Sequence, residues 1–325
     1  MVTAANASEG DGIARPFHYG NFRTDVPAEP GYSPELISKN VDPKYYNDLS
    51  EQPEYNQTGN ERSHYTLYDY FEENHKKSAT NEPFLGTREQ LPDVDGKPAF
   101  GNYKWLTYTE TEKMVSDFSL GLLKLELCPG IEGESDGKMW RFMGIWSKNR
   151  MEWTVSLLSA MKYGITTVGF FDAMSVENVE FIFNQTEMTT VVCTIDYAKK
   201  IIAMKDQEQA AHIANLIIMD SFDDAFKSEA ESKQVKVYSM QDVMEAGLLK
   251  KDVEQPARSK DDVYILSYTS GTTGDSKGVK LTHTNILSNA KCTIPRVPMI
   301  PGEIIISYLP YTHSFEQMLL GFALV

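Results

Sequence analysis

Residues 263–278 read VYILSYTSGTTGDSKG, and the second half of that stretch is where chemistry concentrates. Thr269, Ser270, Gly271, Thr272, Thr273 and Gly274 are followed by Asp275, Ser276, Lys277 and Gly278. Glycine admits positive φ and lets backbone approach a ligand, so successive N–H groups can converge on anionic oxygens. The hydroxyls of Ser270, Thr272 and Thr273 add donors, and Lys277 adds a mobile positive charge. A solvated surface loop has a similar composition. Here, however, an apolar, β-branched and aromatic run at 263–268 delivers the segment and a lysine closes it. The chemistry expected is the cradling of a polyphosphate.

Counting excludes one form of that chemistry. A Walker loop needs Gly-x-x-x-x-Gly-Lys-Ser/Thr opening a helix. Ser276 precedes Lys277, Gly278 follows it, and Val279-Lys280-Leu281-Thr282 reads as a second strand. The loop is therefore expected between two strands. A second candidate is His313, in Pro310-Tyr311-Thr312-His313-Ser314-Phe315-Glu316. A lone histidine after a strand is more often structural than catalytic. Its place at a strand end, where α/β sheets bind ligands, favours a site. Tyr311 and Phe315 are candidate pocket walls and equally candidate core residues.

Positioning these groups requires a sheet. The spacing predicts a first helix over 66–77, with Leu67, Tyr70 and Phe71 on one face, and loop and hairpin character over 84–107 with a short strand at 104–108. His64 and His75 show no ligand spacing and read as solvated. Thr109 and Glu112 have capping-box spacing ahead of Val115, Phe118, Leu122 and Leu125. Residues 129–138 read as a polar loop. Strands are expected at 142–147, 166–171, 190–194, 216–219 and 235–238. Helices are expected from an Asn149 cap to Tyr163 and Gly164, from Ser175 to 184, and at 197–205, 206–215, 222–232 and 240–248. Residues 250–260 read as a linker. Thr282 caps a helix at 283–290, 304–309 reads as a strand, and 318–325 as a buried helix. This alternation predicts an α/β fold, mostly parallel sheets flanked by helices. Residues 1–62, rich in Pro, Gly, Asn and acidic groups, read as an extended arm preceding one domain over 63–325.

With 325 residues, 41% hydrophobic and 11% aromatic, the chain can bury a sizeable core. A formal charge of −15 argues against nucleic acid or an anionic membrane surface as partner. An anionic ligand therefore needs a locally positive or N–H-lined site, which the loop offers. Cys128, Cys193 and Cys292 are few, odd in number and far apart, so no disulfide framework is expected. No metal-ligand cluster, signal peptide or membrane-spanning run is legible.

YTSGTTGDSKG resembles the signature of the AMP-forming acyl-adenylate family, which includes acyl-CoA synthetases and luciferases. The proline common before its lysine is replaced here by Ser276. Tyr103-Lys104-Trp105-Leu106-Thr107-Tyr108 is similar to the family's early strand, and residues 144–153, GIWSKNRMEW, to its strand–turn–helix segment. Leu309-Pro310-Tyr311-Thr312-His313-Ser314-Phe315-Glu316 resembles the motif that long-chain fatty acyl-CoA synthetases carry beside the acyl pocket. The resemblance implies a long-chain fatty acid:CoA ligase using ATP with Mg²⁺, and CoA as co-substrate. It implies that Thr269–Gly274 and Lys277 bind the phosphates, that His313 lies near the substrate carboxylate, and that Tyr311 and Phe315 line the acyl pocket. Lys277 and His313 are then the catalytic candidates. It implies small-molecule partners and a cytoplasmic enzyme, with peripheral contact at endoplasmic reticulum or peroxisome compatible. The family's adenine segment, Mg²⁺-binding Glu, ribose-binding Asp and C-terminal catalytic Lys have no counterpart in these residues. The chain therefore reads as the N-terminal portion of the AMP-binding domain, incomplete at its C-terminus and inactive by itself. Alternatives are a non-catalytic nucleotide- or acyl-binding remnant and an adenylating ligase for another carboxylic acid.

Overall fold

The computed structural model describes residues 21–22, 36–37, 64–77, 82–133, 137–249, 256–269, 276–293 and 303–325. The chain divides into two units, Met1–Ser63 and His64–Val325. In the first, β1 (Asn21–Phe22) pairs antiparallel with β2 (Leu36–Ile37). The rest of the expected arm lies outside the described residues.

The second unit opens on α1 (Leu67–Lys77), whose first turn is closed reciprocally. The Asp69 N–H donates to Thr66 Oγ1 (3.2 Å) and the Thr66 N–H donates to the Asp69 carboxylate (2.7 Å). Leu67, Tyr68, Tyr70 and Phe71 are buried. His75, expected solvated, is half-buried, and its Nδ1 is shielded with no partner among the described residues. Next come β3 (Pro83–Val94) and β4 (Lys97–Thr107), a long antiparallel hairpin. Its turn holds Asp95 at φ 52° and Gly96 at φ 71°, the two left-handed residues that a two-residue hairpin loop demands. The strand read at 104–108 is the end of β4, and Tyr108 already begins α2 (Tyr108–Lys124).

That start moves the capping box. Thr107 and Glu110 form it, not Thr109 and Glu112. Pairing of Thr107 with Pro83 keeps it extended, so the cap falls where the hairpin ends. Glu112 instead meets the Lys162 ammonium (3.3 Å). Within the expected polar loop, β5 (Ile131–Glu132) pairs with β6 (Met139–Trp140).

Then the alternation begins: β7 (Phe142–Trp146), α3 (Met151–Lys162), β8 (Thr166–Gly169), α4 (Val176–Thr186), β9 (Thr190–Cys193), α5 (Ile195–Lys205), β10 (Asn215–Ile218), α6 (Asp224–Ser232), β11 (Lys236–Ser239) and α7 (Met240–Leu248). Residues 206–214 hold turns where a helix was expected, with Glu208 at φ 59°. The N–H groups of Ala214 and Asn215 both donate to the Thr189 carbonyl (2.9 Å each), which pulls this stretch directly into β10. The chain closes with β12 (Val263–Thr269), β13 (Lys277–Thr282), α8 (His283–Thr293) and α9 (Ser314–Leu324).

The main sheet has seven strands in the order β11-β10-β9-β7-β8-β12-β13, parallel except for β13. Because side chains alternate along a strand, the two faces build two cores. Met143, Ile145, Val192, Ile217 and Ile265 pack with α1, α2, α3, α7 and α8 on one face. Val168, Val191, Cys193, Ile218, Leu266 and Tyr268 pack with α4, α5 and α6 on the other. The α/β architecture with helices on both faces is as the alternation predicts. On the first face α2 and α7 nearly touch: a Cβ added at Gly121 would lie 1.8 Å from the Val243 carbonyl oxygen, and one at Gly247 2.0 Å from that of Asp117.

Residues 304–309 form no strand. Ile304, Ile306 and Tyr308 are 68%, 68% and 73% exposed, so the alternation is there but, among the described residues, no pairing strand is. The stretch ends beside the carboxyl end of β7, held by Asn149, and β7 already has β8 and β9 on its two sides. Among the described residues, no helix is long and apolar enough to cross a membrane.

Candidate functional site

β12 carries the site, and its last residues alternate between faces. Ser267 points to the α3 and α9 side, where its hydroxyl donates to the Thr312 carbonyl (3.1 Å). Tyr268 points to the α4 side, where its hydroxyl donates to Gln185 Oε1 (2.6 Å). Burial drives the Tyr268 phenol up to about 12, so it stays a neutral donor. Thr269 then pairs with Lys277, the first residue of β13. β12 and β13 are thus antiparallel neighbours flanking the glycine-rich segment, and β13 enters no helix until His283. Ser270, Gly271, Thr272, Thr273 and Gly274 lie outside the described residues. Thr269 and Lys277 are exposed, while Ser276 beside Lys277 is buried and donates to Asn178 Oδ1 (3.1 Å).

A short turn at 310–313 sits over the same end of the sheet. Thr312 closes on β8 as well as on β12: a Cβ at Gly169 would fall 2.7 Å from Thr312 Cβ. The turn is therefore at the carboxyl ends of β8 and β12, about 7 Å along the strand from Thr269 at ~3.3 Å per residue. Asn149 fixes it. Its amide donates to the carbonyls of Ser307 (3.1 Å) and Leu309 (2.6 Å), and its oxygen accepts the Tyr311 N–H (2.9 Å). Asn149 was expected to cap α3, but Arg150 holds that position and pairs with Glu152 and Asp220. On the other side Gln317 donates to the Tyr311 carbonyl (2.5 Å) and accepts from the buried Tyr264 hydroxyl (3.1 Å).

His313 caps α9, its Nδ1 accepting the Phe315 N–H (3.1 Å). With Nδ1 engaged by the Phe315 N–H, the ring presents its Nε2 edge away from the helix. The residue is exposed. Tyr311 stacks on Trp153 of α3 (5.0 Å, 27°), whereas Phe315 is 43% exposed. The two expected pocket walls thus differ: Tyr311 is anchored in the fold and Phe315 is open. Glu316 is buried, and its carboxylate oxygens have no partner among the described residues.

Sequence reading gave Asn149 the wrong role, that of a helix cap, and assigned none to Gln185, Asn178 and Gln317, all neutral amides with a partner far along the chain. Only Asn149 had a signal, its place just after a strand's carboxyl end. Among the described residues no three His, Cys, Asp or Glu side chains gather as a metal site. Cys128 and Cys193 are free, and burial raises the Cys128 thiol to about 12.

The described residues place the exposed Lys277 at the start of β13 and His313 in the turn over the carboxyl ends of β8 and β12. The rat long-chain-fatty-acid–CoA ligase 5 is 31% identical over 262 residues, covering 79% of this chain and 35% of the relative. Fatty acyl-CoA synthetase A of Dictyostelium discoideum is 32% identical over 254 residues, covering 78% and 35%. The chain thus spans about a third of the length of these curated relatives. In fold it is similar to the adenylation domain of the carboxylic acid reductase from Segniliparus rugosus, solved with AMP and a co-purified carboxylic acid. That likeness has a TM-score of 0.62 at 15% identity and covers 83% of this chain and 45% of that one. Residues 88–325 match the family model described as AMP-binding enzyme. The chain belongs to the family of AMP-binding enzymes.

Proposed function

We propose that this chain carries the phosphate-binding and carboxylate-orienting part of an ATP-dependent long-chain fatty acid:CoA ligase. The observation that carries this reading is the convergence of Ser267–Thr269 and the His313 turn at the carboxyl ends of β12 and β8. In the first step a fatty carboxylate oxygen attacks the α-phosphorus of ATP·Mg²⁺. The bond to the bridging oxygen breaks, and acyl-adenylate and pyrophosphate result. In the second, the CoA sulfur attacks the acyl carbonyl and AMP leaves. Here Lys277, with the N–H groups and hydroxyls of Thr269, Ser270, Gly271, Thr272, Thr273 and Gly274, takes the β- and γ-phosphates. Catalysis of this kind rests on positioning and charge stabilisation. His313 donates from Nε2 to the carboxylate and holds it in line for attack. Tyr311, braced by Trp153, and Phe315 border the acyl chain. Residues 63–325 act as part of the AMP-binding domain, with 1–62 as an arm. Mg²⁺ accompanies ATP as part of the substrate, and none of the described side chains is assigned to it.

The acyl preference is tested with non-hydrolysable acyl-sulfamoyl adenosines. Titration calorimetry of residues 1–325 is expected to give at least tenfold tighter binding for the palmitoyl than for the benzoyl compound, since about 0.8 kcal/mol accompanies each buried methylene. Equal affinity, or preference for the aryl compound, would transfer the reading to another class of acid.

A further inference from the structure

α4 grips both stems of the glycine-rich segment. Tyr268, the residue before Thr269, donates to Gln185 Oε1 (2.6 Å), and Ser276, the residue before Lys277, donates to Asn178 Oδ1 (3.1 Å). Asn178 and Gln185 are seven residues apart, two turns on one helical face, about 10 Å along the axis. Both bonds involve buried partners on the hairpin side: Tyr268 is 2% and Ser276 7% exposed. Tyr268 also lies against Gly278, where an added Cβ would come within 3.0 Å of its ring. Among the described residues, the ladder between the stems ends at the pair Thr269 and Lys277.

We infer that Asn178 and Gln185 are positioning residues for the phosphate site, and that the Asn178–Ser276 bond directs the Lys277 ammonium toward an anionic ligand. This rests on the reading of the segment as a phosphate cradle. Lys277 is exposed on a flexible four-carbon stem, so its aim depends on how firmly its backbone is held. The Ser276 hydroxyl, immediately before it, is anchored on Asn178 Oδ1. Neither amide need touch ligand.

The test is calorimetric affinity for inorganic tripolyphosphate, a probe that needs neither adenine nor acyl contacts. N178A is expected to weaken binding about five- to tenfold, the worth of one hydrogen bond expressed as affinity. S276A should do the same, and the double variant should lose no more than either single one. Should N178A fail to fold, S276A and Q185A carry the comparison. The diagnostic arm uses K277A: in that background N178A should cost nothing further, whereas a merely structural role would lower affinity equally in both. Binding by the wild type with an unaltered constant in N178A and S276A, or an equal loss in the K277A background, overturns the inference and leaves the phosphate site standing. No binding by the wild type removes the phosphate site and the inference with it.

Discussion

Residues 1–325, expressed as one polypeptide and supplied with palmitate, ATP·Mg²⁺ and CoA, are expected to release pyrophosphate and form acyl-CoA at near-background rates. In the proposed site Lys277 is exposed, and His313 accepts the Phe315 N–H at Nδ1. The family resemblance implies three further groups acting on the same transition state: a Mg²⁺-binding Glu, a ribose-binding Asp and a catalytic Lys. The 325 residues span 35% of the rat relative's length, and none of them is assigned to these three roles. Loss of a single preorganised donor costs about 10²–10³ in rate. Groups that act as a unit are not additive, so the loss saturates near the uncatalysed rate. ATP should bind weakly, through its phosphates alone. Turnover within tenfold of a whole ligase would show that the phosphate and carboxylate contacts suffice, and would refute the division of labour proposed here.

The second large effect is on stability against pH. His283 opens α8, is 3% exposed, stacks on Tyr264 (5.0 Å) and accepts the Leu67 N–H at Nδ1 (3.3 Å). Burial lowers its pKa to about 4, with Asp69 pulling it up and Arg258 pushing it down. The unfolded chain takes its proton near 6.5. Between these values the unfolded state binds more protons than the folded state, so stability falls as pH drops from about 6.5 to 4 and is flat above. At pH 4.5 the loss from this residue is about 2.5 kcal/mol. Burial opposes the charge of Asp69, but bonds from Thr66 and Arg258 outweigh it and hold its carboxyl below the usual range, so its own contribution disappears at lower pH still. In H283N an amide oxygen can replace Nδ1 as acceptor without titrating. Urea midpoints at pH 7.5, 6.5, 5.5 and 4.5 should therefore fall more steeply for the wild type than for H283N. Parallel curves would mean that His283 is protonated in the fold.

The readable parts of this chain were those whose signal is local. The run at 263–268 announced a strand by composition alone, and β12 lies there, with β13 following the glycine-rich segment, whose residues 270–275 lie outside the described residues. Ser175 capped its helix and Gly164, at φ 64°, ended another, because both depend on a few adjacent atoms. Errors arose where a distant partner decided. Thr107, not Thr109, caps α2 because Pro83 pairs with it across a hairpin. Asn149 had the composition of a cap but spends its amide on residues about 160 positions away. Residues 304–309 have strand-like alternation, yet among the described residues no strand pairs with them. Asn178 and Gln185 looked like ordinary helix surface, since only folding brings Ser276 and Tyr268 to them.

The central claim, that Lys277 serves the phosphates of ATP at this sheet end, is open to direct chemical reading. An acyl-phosphate derivative of ATP places a reactive carbonyl at the γ-phosphate and acylates the amine beside it. Residues 1–325 treated with this reagent and digested for mass spectrometry should carry the label predominantly on Lys277, with labelling suppressed by excess ATP or tripolyphosphate. Label spread over exposed lysines such as Lys113 and Lys280 without suppression, and none concentrated on Lys277, would contradict the account.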